Sequence, residues 1–362
     1  MNSLIKYFGK EMDKYRSLTE CLSQGDLLQV PPPPPSEKEI LRRWGGKLHP
    51  DVSIVCHTYN HKDFIKDAVH GFLMQRTTFP FEIIINDDSS TDGTTEILRS
   101  FQENYPNIIR VIFHDENQFS KGVSPRNFSF PLVRGKYIAL CEGDDFWVSP
   151  VKVQLQVDAF EDGVSLVFHD AITFADARVL SSSYYAEGKC PEEGYKEIAM
   201  AAGVRIPTAS AVFLSSPFLK CEHENVINGD HLIWATMAGL GRAKFLPEAM
   251  SAYRYHPGGV WSARKTLDKL DPVIKSKLTI FSIVPQNLKS SVLLGLTSEC
   301  VSLAKKLREE GEIRASAKFY RIFCVRYLKM LPDCSFGSLA SLYCLARSAY
   351  HLITNVKLLV GK

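Results

Sequence analysis

Val52-Ser-Ile-Val-Cys-His-Thr-Tyr-Asn60 reads as a short buried strand that runs straight into a polar tail. The β-branched run Val52 to Cys56 is too short for a helix and has the composition of a sheet interior. Similar apolar runs recur at Phe81-Glu-Ile-Ile-Ile85, Ile108 to Phe113, Tyr137-Ile-Ala-Leu-Cys141 and Val164 to Phe168. Between them lie helical patterns. Phe64, Ile65, Ala68, Val69, Phe72 and Leu73 fall on one helix face, and so do Ile97, Leu98 and Phe101 after a start at Asp92. Ser124-Pro125 and Ser149-Pro150 each place a capping hydroxyl before a proline, and Val151 to Phe160 follows the second as a helix. Strands alternating with helices at this spacing predict an α/β fold with a mostly parallel, buried sheet flanked by helices. Ligands of such sheets bind beyond the carboxyl ends of the strands.

Three polar clusters sit at those ends: His57-Thr-Tyr-Asn60, Asn86-Asp-Asp-Ser-Ser-Thr-Asp-Gly-Thr94 and Glu142-Gly-Asp-Asp145. Each alone suits an ordinary turn or cap. Their convergence on one sheet edge points to a site. The run of carboxylates at 142–145 repels itself unless a cation or hydrogen bonds neutralise it. Hard oxygen ligands of this kind suit Mg²⁺ or Mn²⁺ together with phosphate oxygens.

In their order and spacing, these three motifs resemble the signatures of family 2 glycosyltransferases, over roughly residues 50–262. The resemblance implies a GT-A fold and an inverting transfer from a nucleoside-diphosphate sugar, first of all a UDP-sugar, to an acceptor hydroxyl. It implies roles residue by residue. Thr58, Tyr59 and Asn60 match the loop that holds base and ribose, and Asp88 with Asp87 matches the acidic position that reads the base. Arg126 matches a basic residue near the nucleotide, or is a surface helix arginine. Glu142-Gly143-Asp144 occupies the Asp-x-Asp position, with Glu142 departing from the commonest residue, and Asp144 and Asp145 stand closest to a Mn²⁺ or Mg²⁺ ion. Asp230, in Asn228-Gly-Asp-His231, matches the general base; its alternative is a helix cap, and His231 is the second candidate base. Arg254, His256 and Trp261, around Gly258-Gly259, match a closing loop at the diphosphate, with His256 also a metal ligand; the alternative is a plain surface loop.

The rest of the chain sets limits. Of 362 residues 45% are hydrophobic, enough for one large α/β domain and an appendage. A net charge of +3, with no basic stripe interleaved with aromatics, gives no reason to expect nucleic acid as a partner. The nine cysteines are scattered without paired spacing, as in a reducing compartment. No signal peptide is recognisable, and no stretch reaches the ~18–20 apolar residues of a membrane span. These features predict a cytoplasmic protein, with the inner face of the cytoplasmic membrane as a second expectation.

Pro31 to Pro35 reads as a boundary, giving a leader and linker at 1–50, a GT-A domain at 51–263 and a helical region at 264–362. Helical patterns run over 288–308, 311–330 and 336–360. Arg314, Lys318, Arg321, Arg326 and Lys329, then Arg347, Lys357 and Lys362, make the last two basic. Such helices either pack with a solvated face or lie peripherally on an anionic membrane, which would suit a lipid-linked or other glycan acceptor. Two other readings compete. A nucleotidyltransferase would want a glycine- and lysine-rich phosphate loop that residues 52–61 lack. A non-catalytic nucleotide-sugar-binding protein would have no use for Asp230.

Overall fold

The computed structural model describes residues 22–185, 191, 193–215, 229–259, 265–312 and 314. Trp261 and the basic patterns at 315–362 lie outside the described residues. The chain divides into two compact units. The first comprises the described residues up to Gly194, Arg205–Ser215 and Arg242–Pro257; the second comprises Tyr195–Val204, Gly229–Gly241 and the residues from Gly258.

The strands are β1 (Val52–Thr58), β2 (Phe81–Asp87), β3 (Ile109–Phe113), β4 (Tyr137–Leu140), β5 (Phe146–Trp147), β6 (Val164–Ala175), β7 (Arg178–Ser181), β8 (Gly194–Tyr195), β9 (Val212–Leu214) and β10 (Arg242–Arg254). The helices are α1 (Glu37–Arg43), α2 (Ile65–Leu73), α3 (Thr94–Asn104), α4 (Arg126–Ser129), α5 (Lys152–Asp158), α6 (Glu197–Ala202), α7 (Gly229–Ala238), α8 (Leu270–Ile283) and α9 (Lys289–Glu309).

In the first unit the sheet runs β3-β2-β1-β4-β9-β6-β10-β5, with β7 beside β6. Strands β1 to β4 pair in parallel, as the alternating pattern predicts. Beyond β4 the sheet is mixed, because β9 runs antiparallel to both β4 and β6. Strand β6 is much longer than the five-residue run expected, and it pairs in parallel with the thirteen-residue β10. Both carry charged and small residues, which hid their length from a search for apolar runs. The two central strands β1 and β2 are buried along nearly their whole length, as covered parallel strands must be. Helix α2 packs on them through Ile65, Ala68, Val69, Phe72 and Leu73, and Phe72 meets Trp147 edge to face at 4.8 Å.

Residues 22–50 belong to this unit and are not a free leader. Gly25 and Leu28 donate backbone hydrogen bonds to Val179 and Ala177, Ile40 and Trp44 join the core, and Tyr105 Oη donates to the Pro35 carbonyl at 3.0 Å.

The second unit gathers α6, α7, α8 and α9. The expected border at 263 therefore differs from the observed grouping, since α6 and α7 come from within the expected catalytic segment. Lys277 of α8 is buried here. Its Nζ donates to the carbonyl of Ala202 at the end of α6 (3.1 Å) and lies 3.8 Å from Glu299 of α9. A cation at a helix C-terminus is favourable. Burial pulls the Lys277 ammonium below its ordinary pKa, against the opposing pull of Glu299 and Asp230. Cys56, Cys141 and Cys300 are buried thiols outside any disulfide. No helix among the described residues is long and apolar enough to cross a membrane.

Candidate active site

Parallel pairing sets the carboxyl ends of β1, β2 and β4 side by side, with Thr58 opposite Asp87 and Val55 opposite Leu140. The two loops after β1 and β2 are knitted together. Asn60, at φ 55°, accepts from the Thr91 amide and donates its own amide to Ser90 Oγ, both at 2.8 Å. Ser90 Oγ and Thr95 Oγ1 each donate to Asp87 at 2.5 Å. Asp92 accepts from Thr94 and from the Lys62 amide, so it caps α3 from one residue before the Gly93 N-cap. Asp88 is buried and clasps two backbone amides, those of Gln118 and Phe119, at 2.7 and 3.0 Å. The polarity of this segment thus has a structural use: Asp87 and Asp88 hold the loops after β1 and β2 in shape. Tyr59 is 44% exposed and free of that core.

Arg126 donates to Ser124 Oγ at 3.2 Å and lies near His57, whose Nε2 meets Ser129 Oγ at 2.9 Å. His57 is pushed down to about 3 by burial and then by Arg126. His169, in β6, is pushed well below its ordinary value by burial and Lys152, although its ring bonds the Asp170 carbonyl. Both are neutral when folded, whereas in the unfolded chain they protonate near about 6.5. Their linkage leaves stability untouched above that pH. For His57 stability then falls as pH drops from about 6.5 towards about 3, by up to about 1.4 kcal/mol per pH unit, and His169 adds a fall of the same sign. Urea midpoints at pH 7 and pH 5 should show this fall, and His57→Gln should flatten it. An identical slope in that variant would exclude His57 as a contributor.

The turn after β4 is built around Gly143. Its amide donates to the His57 carbonyl at 3.0 Å, which draws the turn against the end of β1. A Cβ at 143 would stand 2.6 Å from Thr58 Oγ1 and 3.0 Å from His61 Nδ1. Thr58 belongs to β1 and cannot retreat without disturbing it. Gly143→Ala is expected to cost about 1–3 kcal/mol by overpacking, readable as a lower denaturation midpoint. An unchanged midpoint would show that the turn has room to move.

Asp144 and Asp145 are neighbours in sequence with opposite surroundings. Asp145 is fully buried and accepts the Arg254 amide at 2.8 Å. Burial, then the charges of Asp144 and Glu142, push its carboxyl well above the ordinary range, with Arg254 opposing. Asp144 points the other way: Oδ2 lies 3.0 Å from His256 Nε2 and 3.9 Å from His61 Nε2. Burial alone would raise its pKa, but the His256 hydrogen bond and the charge of His61 prevail and hold it low. One carboxylate of the pair is therefore kept charged and outward, the other inward as an anchor.

Arg254 is not free to meet a diphosphate. Its Nε donates to the Asp144 carbonyl (2.8 Å) and its terminal nitrogen to Asp67 (2.9 Å). Its guanidinium stacks 4.5 Å from the Phe64 ring centroid and 4.6 Å from that of Phe174. It clamps the acidic turn in place. His256 does face the site, and its ring packs on Phe64 at 4.9 Å.

His61 is the neighbour of Asp144 that sequence reading missed. It follows Asn60 directly, one position beyond the quoted motif, and burial lowers its pKa against the pull of Asp144. Its Nδ1 and the Thr58 hydroxyl are buried without a hydrogen-bond partner, both against Gly143.

Among the described residues no cluster of three or more His, Cys, Asp or Glu side chains is assembled for an ion. Asp144 and His256 nevertheless present an oxygen and a nitrogen 3.0 Å apart. That contact is a hydrogen bond here, and its length equals the separation of two adjacent ligands at about 2.1 Å from an octahedral ion; Mg²⁺ is usually held through one or two carboxylates plus substrate phosphates.

Asp230 lies in the second unit, in the first turn of α7, where its Oδ1 accepts the amide of His231 at 2.8 Å. His231 Nδ1 is buried without a partner.

Residues 53–209 match the family model described as glycosyl transferase family 2. An uncharacterised protein of Mycobacterium tuberculosis is 34% identical over 221 residues, which are 59% of this chain and 62% of that protein. The chain thus spans under two thirds of the length of this relative. A UDP-Glc:α-D-GlcNAc-diphosphoundecaprenol β-1,3-glucosyltransferase, WfaP of Escherichia coli, is 27% identical over 227 residues, 62% of this chain and 86% of that enzyme. Among solved structures, a mannosyltransferase of Pyrobaculum calidifontis in complex with GDP-Man and Mn²⁺ superposes with a TM-score of 0.52 at 15% identity, covering 99% of this chain and 96% of that one. The three motifs at one sheet edge and the family match identify residues 53–209 as a glycosyl transferase family 2 domain, and the likeness to the solved glycosyltransferase gives the fold as GT-A.

Proposed function

We propose that the protein is an inverting glycosyltransferase of polysaccharide synthesis. It moves a sugar from a UDP-sugar to a hydroxyl of a glycan acceptor carried on a lipid diphosphate. The observation that carries this reading is the outward Asp144–His256 pair at the carboxyl edge of β1, β2 and β4. The donor and acceptor classes are taken from the printed activity of the Escherichia coli relative, and Mn²⁺ or Mg²⁺ from the fit of the pair and the Mn²⁺ of the archaeal neighbour.

Asp144 and His256 would hold the cation, which supplies charge to offset the departing diphosphate. Thr58, Tyr59 and Asn60 border the nucleotide, with Asp87 and Asp88 keeping the two loops in register. Arg254 and Asp145 hold the acidic turn rigid, so that Asp144 meets the donor without reorganising. Asp230 takes the proton of the acceptor hydroxyl as its oxygen bonds to the anomeric carbon and the bond to the diphosphate breaks. A single displacement inverts that carbon.

Calorimetric titration with UDP, GDP, CDP and TDP, each with and without Mn²⁺, tests the reading. Binding of UDP that needs Mn²⁺ is expected. Binding of GDP alone would reassign the base, and no binding by any of the four to the folded protein would overturn the proposal.

A further inference from the structure

Four tyrosines line the first unit beside the acidic turn. Tyr253 and Tyr255 flank the clamp residue Arg254, and their rings meet at 5.2 Å, nearly perpendicular. Tyr253 meets Tyr184 at 5.9 Å, and Tyr184 meets Tyr185 at 5.5 Å, again edge to face. The row ends in solvent: Tyr255 is 45% exposed, while the other three are half-buried.

The row is built and held. Asp170 accepts from Ser183 Oγ at 2.5 Å and from the Tyr184 amide at 2.9 Å, fixing the segment that presents Tyr184. Tyr185 Oη donates to the Arg205 carbonyl at 3.0 Å. The Tyr255 amide donates to the Phe174 carbonyl at 2.8 Å, so its ring is exposed from a pinned backbone. Arg254, between Tyr253 and Tyr255, bonds both Asp144 and Asp145, which places the row next to the acidic turn.

We infer that Tyr255, backed by Tyr253 and Tyr184, is the platform on which a pyranose ring of the acceptor glycan stacks. A pyranose offers one face of C–H groups and a rim of hydroxyls. A rigid, amphipathic tyrosine matches that combination at little entropic cost. A nucleotide base could stack as well, but the loops after β1 and β2, where the family motifs lie, already provide its place. The inference rests on the proposed transferase activity for what the sugar is used for, and not for whether a sugar binds.

Saturation-transfer NMR with methyl β-D-glucopyranoside and methyl N-acetyl-β-D-glucosaminide tests it on the full chain, with a UDP–Mn²⁺ titration run in parallel. The wild type should saturate the ring C–H protons of at least one glycoside. Tyr255→Ala should weaken that binding about tenfold, in line with the value of an aromatic contact, and Tyr255→Phe should stay within about twofold. UDP affinity should be the same in all three. Saturation of neither glycoside by the wild type, or equal saturation in Tyr255→Ala, overturns the platform. Glycoside binding without any UDP binding would instead sink the donor reading and leave the platform standing.

Discussion

Asp144→Asn is expected to lower kcat/KM by about 10²–10³-fold, the scale of losing one electrostatic contact to the developing charge, and to remove the Mn²⁺ dependence of UDP binding. The substitution keeps the shape of the side chain and removes only its charge. The turn itself should survive, because it is held by the Gly143 amide, by the Asp145 carboxylate and by the Arg254 clamp on the Asp144 carbonyl. Low pKa at this carboxyl keeps it charged through neutral pH, so the loss should be present across the working range. The measurement is donor turnover paired with calorimetry. A variant that still binds UDP only with Mn²⁺ would show that the ion is held elsewhere, with Glu142 the first alternative.

A second large loss is expected at Asp230. Asp230→Asn should reduce kcat by about 10²–10⁴-fold, the range for general-base catalysis, while UDP–Mn²⁺ affinity stays within about twofold. The split between turnover and donor binding separates a base from a helix cap. A cap lost at the start of α7 would lower stability by about 1 kcal/mol and leave turnover largely intact. Near-normal turnover would remove Asp230 from the mechanism and send the search to His231.

Much of the first unit could be read directly. The runs at 52–56, 81–85 and 137–141 are strands, save for Cys141, because their apolar residues are buried on both faces, and each run ends directly before its polar cluster. Helices α2 and α9 fell where periodicity put them. What escaped was of two kinds. Only the first five residues of β6, Val164 to Phe168, form an apolar run, and β10 has none, because His169, Asp170, Lys244 and Glu248 interrupt the pattern; long-range pairing makes the rest strand. The other kind was orientation. Nothing in Asp144-Asp145 says that one carboxylate turns out and the next turns in, since that depends on the Arg254 amide more than a hundred residues away. For the same reason Arg254 reads as a diphosphate ligand until its bond to Asp67 and its aromatic cage are seen.

The packing at Gly143 constrains how this site could change over generations. Because Thr58 and His61 already fill the space a Cβ would need, a side chain at 143 is harmful in the present background and could be neutral in one that had first lost bulk at 58. Positions 58, 61 and 143 should therefore be epistatic, with the order of substitutions deciding which are accessible, and Gly143→Ala should lower the denaturation midpoint less on a Thr58→Gly parent than in the wild type.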